Sequence, residues 1–130
     1  VNGRVAMATL VVADYDAAID WYTAALGFAL LEDRPLDAGK RWVVVAPTGG
    51  TGAALLLARA SGDAQGARIG DQTGGRVAFF LETDEFARDH AAMQARGVEF
   101  LEAPRHESYG TVAVFQDLYG NRWDLLERAR

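Results

Sequence analysis

Short apolar runs alternate with a single helical stripe, and the whole series occurs twice. Residues 5–12 (Val5-Ala6-Met7-Ala8-Thr9-Leu10-Val11-Val12) are apolar and partly β-branched, the pattern of a buried strand. Asp14 follows, placed to cap a helix by accepting from its first free amides. Ala18, Trp21, Tyr22, Ala25 and Leu26 recur at three- and four-residue spacing, which predicts a helix lying on a sheet. Gly27 supplies a left-handed stop. Residues 28–33, 41–46 and 53–58 predict three more strands, divided by turn-rich segments at 34–39 and 47–52. The order is β-α-β-β-β.

Moved along by 70 positions, residues 1–60 fall on residues 71–130 without an insertion. Asp14 lands on Asp84, Gly27 on Gly97, Leu55 on Leu125 and Leu56 on Leu126. The second copy therefore predicts a strand at 76–82, a helix at about 85–95 starting after Asp84, and strands at 98–102, 111–116 and 122–127. The expected class is α+β, one domain over 1–130, with repeat 1 at 1–60, a linker at 61–73 and repeat 2 at 74–130. Two tandem βαβββ modules forming curved mixed sheets around a groove, helices outside, bury both apolar stripes most simply. Concave ligand sites favour the seam of such a repeat.

Composition narrows the partners. The net charge of −5 argues against nucleic acid, because phosphate contacts need a positive field. No apolar run approaches about 18 residues, so no membrane span is expected. No secretory signal is visible, which makes the cytoplasm the default. Cysteine is absent, which removes disulfides, zinc–thiolate sites and a cysteine nucleophile.

The segments 11–22 and 26–28, Gly97-Val98-Glu99-Phe100, Tyr109-Gly110 and 115–127 resemble the vicinal oxygen chelate superfamily. That superfamily includes glyoxalase I, extradiol dioxygenases, fosfomycin-resistance enzymes and bleomycin-resistance proteins. Its usual Asp-Pro-x-Gly-Asn turn stands here as Asp117-Leu118-Tyr119-Gly120-Asn121, with Leu118 in place of proline. The resemblance is specific for fold and weak for activity, since one fold hosts several chemistries. Metal-dependent members carry a His on the first strand and a Glu on the last strand of each half. The resemblance places those positions at Met7, Ala54, Val77 and Asp124. Valine and alanine have no donor, and a thioether suits soft cations, so no metal and no cofactor are expected. His90 reads as a solvated helix residue, and His106 beside Glu107 as a surface loop or a proton relay.

Side-chain alternation groups Met7, Thr9 and Val11 on one face, with Ala54 and Leu56, with Val77, Phe79 and Leu81, and with Asp124 and Leu126. If these faces point inward, the groove is apolar with one carboxylate, Asp124, whose pKa burial should raise. A basic ligand would compensate it. Arg41 and Trp42 point to opposite faces, and the sequence does not say which is inward: Trp42 stacks on a planar ligand or fills the core. Trp21, Tyr22 and Trp123 read as helix-side core. Tyr109, Gln72 and Thr73 are further candidate ligand contacts. The glycines at 49–52 and 74–75 read as turns, because no helix with Lys-Ser/Thr follows them. The leading expectation is metal-independent binding of a small, partly aromatic or cationic molecule, in a homodimer. The alternatives are a lyase, isomerase or dioxygenase of the glyoxalase type with atypical divalent-metal ligands, and an interaction module with a collapsed groove.

Overall fold

Each half of the chain builds its own sheet and lays one helix on it. A computed structural model describes all residues from Val1 to Arg130. They divide into two units, Val1–Ile69 and Gly70–Arg130. The architecture is α+β, a tandem βαβββ fold with sheets of four and five strands.

The first unit contains β1 (Met7–Val12), α1 (Tyr15–Ala24), β2 (Ala29–Pro35), β3 (Arg41–Ala46), β4 (Ala54–Arg59) and the short helix α2 (Gly62–Gly66), which lies in the expected linker. The sheet order is β1-β4-β3-β2, with β1 parallel to β4 and the other pairs antiparallel. Register sorts the side chains. Leu10, Val12, Val43, Val45, Leu55 and Leu57 share one face and are buried, the layer beneath α1. Met7, Thr9, Ala54, Leu56, Val44 and Trp42 share the other. Asp14 caps α1 as its position predicts: its Oδ2 accepts from the Ala17 amide at 2.7 Å. Gly27 is left-handed (φ 70°), and the Phe28 amide reaches back to the Tyr22 carbonyl at 3.0 Å.

The second unit contains β5 (Phe79–Glu82), α3 (Phe86–Ala95), β6 (Glu99–Phe100), β7 (Arg105–Glu107), β8 (Gly110–Gln116) and β9 (Arg122–Arg128). Its order is β5-β9-β8-β6, with β7 also paired to β8. The expected strand at 98–102 is thus short, and β7 is an addition the sequence pattern does not announce. Phe79, Leu81, Ala113, Phe115, Trp123 and Leu125 share the helix face. Phe115 stacks on Trp123 (centroids 5.8 Å apart) and reaches Phe100, which touches His90 of α3. Phe80, Glu82, Val112, Val114, Asp124 and Leu126 share the opposite face.

The uniform 70-residue register fails over the first strand and helix. α3 begins 71 residues after α1. Two residues, Ala25 and Leu26, separate α1 from Gly27, whereas Arg96 alone separates α3 from Gly97. That extra residue moves β5 one place along, and a one-residue slip exchanges the faces of a strand. Buried Leu10 therefore corresponds to Leu81. The counterparts of Met7 and Thr9 are Ala78 and Phe80, not Val77 and Phe79.

The start of α3 also differs from expectation. Its cap residue is Glu85, not Asp84, and the Glu85 side chain accepts no capping bond. Glu127 of β9 takes that role, accepting from the Phe86 amide at 2.7 Å, while Thr83 Oγ1 accepts from the Glu85 amide. Asp84 instead pairs with Arg88 at 2.6 Å. Glu127→Ala removes the carboxylate from this helix end and lowers stability by about 1 kcal/mol, measurable by urea unfolding.

The β8–β9 turn is tightly bonded. Asp117 is 4% exposed. Its Oδ1 accepts from the Tyr119 and Asn121 amides and its Oδ2 from Asn121 Nδ2, each at 2.9 Å. Its own amide donates to the Asn121 carbonyl at 2.9 Å. Gly70 lies against this turn in a left-handed conformation (φ 75°), and a Cβ there would sit 1.9 Å from the Tyr119 carbonyl oxygen.

Candidate functional site

Strand alternation sends Trp123 and Leu125 of β9 toward α3 and leaves Asp124 facing the other way. The neighbours that register gives Asp124 on that face are Phe80 of β5 and Val114 of β8, with Val112 and Leu126 one pair further on. Asp124 is 9% exposed, and its Oδ1 is buried without a hydrogen-bond partner. Burial pushes its pKa up; the Arg105 charge opposes that shift and the Glu102 charge adds to it. Phe80, beside it, is 64% exposed. The face thus combines a desolvated carboxylate with an accessible aromatic ring.

A polar network borders it. Arg105 donates to Glu102 Oε1 at 2.9 Å and to Glu107 at 2.8 Å, and Glu102 Oε2 accepts from the Val114 amide at 2.9 Å. Tyr109, just before β8, is 52% exposed. Only the three-residue spacing of Glu102 and Arg105 hints at this network before folding, and that spacing means little until β7 is known to be a strand.

In the first unit Trp42 and Arg41 separate as alternation requires. Trp42 lies on the face of Val44, Leu56 and Met7, and its Nε1 donates to Glu32 at 2.9 Å. Arg41 lies on the helix side. It grips Asp33 with two nitrogens (3.1 and 2.7 Å) and Asp16 of α1 with a third (2.9 Å), and its amide donates to the Tyr15 hydroxyl. The Arg41 guanidinium holds the Asp33 carboxyl below its usual range. Arg41 and Arg59 both lie over the Tyr15 ring, at 5.1 and 5.2 Å from its centroid. Arg41 therefore ties β3 to α1 and is committed to that role.

Among the remaining candidates, Met7 and Ala54 are register partners on the Trp42 face. Phe79 lies on the helix face, 4.7 Å from the Trp123 ring, opposite Asp124; the register slip described above accounts for the difference. Val77 precedes β5 and takes no place in its ladder. His106 Nδ1 lies 3.3 Å from Thr111 Oγ1 on the surface. His90 is half-buried, in place of the solvated position expected. Its ring lies 5.2 Å from Phe86 and 4.2 Å from Phe100, and Nε2 is buried without a partner. Desolvation lowers its pKa below the usual 6.5. The unfolded chain therefore takes up this proton first. Stability is full above about pH 6.5 and falls as the pH drops through that value. In thermal melts from pH 7 to 5, His90→Phe should lose less stability than the parent chain.

The residues do not fit a divalent-cation centre of the kind the superfamily resemblance implies. Met7 pairs with Ala54 in the first sheet and Phe80 with Asp124 in the second, so these four positions hold one carboxylate and no other hard donor. No three His, Cys, Asp or Glu residues cluster anywhere in the chain.

Comparison with known proteins agrees with the fold. Residues 4–125 match the model of the Glyoxalase/Bleomycin resistance protein/Dioxygenase superfamily. A Shewanella frigidimarina (strain NCIMB 400) protein described as uncharacterized is 56% identical over 119 residues, 91% of this chain and 88% of that one. The crystal structure of TnmS3, an antibiotic binding protein from Streptomyces sp. CB03234, is 30% identical and superposes with a TM-score of 0.77, covering 98% of this chain and 97% of that one. A superfamily member from Sphaerobacter thermophilus DSM 20745 is 26% identical with a TM-score of 0.75, covering 97% and 98%.

Proposed function

We propose, because the chain belongs to the Glyoxalase/Bleomycin resistance protein/Dioxygenase superfamily, that it binds a small, partly aromatic cation without a metal. The observation that carries this reading is Asp124: a carboxylate with an unpartnered buried oxygen, next to an exposed Phe80 ring. A positive ligand group returns the hydrogen bond and counter-charge that folding removes from Asp124. A planar ring system gains contact with Phe80. TnmS3, 30% identical, is described as an antibiotic binding protein, which supports ligand capture as the activity here. Trp42, held by Glu32 on the apolar face of the first sheet, offers a second stacking surface.

Acridine orange, a planar cation, tests the chemistry. Fluorescence titration in EDTA should saturate at one dye per chain. Titration without saturation overturns the reading. So does binding that EDTA abolishes, or near-stoichiometric Zn, Ni, Mn or Fe in untagged protein, which would restore a metal-dependent activity. We place this activity in the cytoplasm and in a homodimer; light scattering that gives a monomer mass would correct the second point. No helix is long and apolar enough to cross a membrane.

A further inference from the structure

The segment from Gly70 to Arg76 and the turn from Gly120 to Arg122 line a cavity of about 120 Å³. At about 30 Å³ per water it holds about four waters, and it is well below the roughly 300 Å³ of a drug-sized ligand site. Its walls are polar: Gln72, Thr73, Arg76, Asn121 and Arg122 contribute, with Asp71 the only carboxylate.

Two arginines line this cavity, Arg76 and Arg122. Arg41, Arg88, Arg105 and Arg128 each meet a carboxylate at 2.6–2.8 Å. Arg76 and Arg122 form no ion pair, a state they share with Arg4, Arg59, Arg68, Arg96 and Arg130, but they alone of these line one cavity together, with Asp71 on the same wall. The Gly75 and Arg76 amides, also on its wall, have no acceptor in the chain. The other wall is the turn fixed by Asp117, so the site is braced before any ligand arrives. The corresponding turn of the first repeat, Thr51-Gly52, has no arginine.

We infer that Arg76 and Arg122 form a binding site for a single phosphate group. Two planar guanidiniums and free backbone amides match a tetrahedral oxyanion, and the cavity has room for a phosphate headgroup. No helix N-terminus takes part. Asp71 can accept a hydrogen bond from a P–OH group, which sulfate lacks at neutral pH, so the site favours phosphate over sulfate. This reading is independent of cation binding at Asp124.

Inorganic phosphate, phenyl phosphate and sulfate would be titrated by calorimetry at pH 6.5 and constant ionic strength. Saturable phosphate binding is expected, with sulfate weaker by roughly tenfold or more. The double variant R76Q/R122Q should lose the phosphate signal while keeping its acridine orange binding and melting transition. R122K, which keeps the charge without the planar fork, should show intermediate affinity. Binding of phenyl phosphate alone would identify the ligand as a phosphomonoester and not the free ion. Absence of saturable binding of either phosphate, equal responses to phosphate and sulfate, or full binding by R76Q/R122Q would overturn the assignment.

Discussion

Asp117→Ala lowers the unfolding free energy by about 3 kcal/mol or more in urea titrations, with a matching fall in melting temperature. The Asp117 carboxylate accepts three hydrogen bonds in a buried turn, from Tyr119 N, Asn121 N and Asn121 Nδ2. Alanine leaves those donors without a partner, and a lost charged acceptor costs more than a neutral one. Asp117→Asn keeps one acceptor oxygen, so it should fall between parent and alanine. Gly70 packs on the Tyr119 carbonyl, so loosening the turn also frees the start of the second unit. A cost under about 1 kcal/mol would mean that the turn is held by its backbone alone.

Asp124→Asn separates binding from stability. Acridine orange affinity falls by about tenfold or more, because the amide cannot balance a positive ligand. Stability at pH 7 rises by about 1 kcal/mol, since a poorly solvated charge disappears. The pH dependence fixes the sign. The folded-state pKa of Asp124 lies above its ordinary value because burial penalises the anion. The native chain therefore keeps this proton at pH values where the unfolded chain has lost it. The parent is stabilised at low pH and loses that contribution as the pH rises through the folded-state pKa. The advantage of Asp124→Asn should be absent near pH 3 and complete at neutral pH. Equal melting temperatures across that range would show that the carboxylate is better solvated than its position indicates.

Most of the fold could be read from apolar periodicity, because each element repeats the demand of its neighbours. The strand at 41–46 and the start of α1 coincide with expectation for that reason. The faces of β5 differ from those the repeat predicts because a single extra residue after α1 is invisible to a fixed offset. Phe79 and Phe80 are both apolar, so composition could not reveal the slip. Asp124 stood out as the single carboxylate among apolar positions. The Arg105–Glu102 network did not, since it depends on a three-residue strand too short to show alternation. His90 is less exposed than its helix position suggests because Phe100, beyond the turn that ends α3, packs against it together with Phe86 of its own helix.

The two helices start under different authority. α1 is closed by Asp14, three residues from the amide it serves, whereas α3 depends on Glu127, 41 residues downstream. On the ribosome the first helix can nucleate from its own sequence, while the second must wait until β9 has been synthesised. Nascent chains arrested before residue 127 should show hydrogen-exchange protection at α1 and rapid exchange at the amino end of α3.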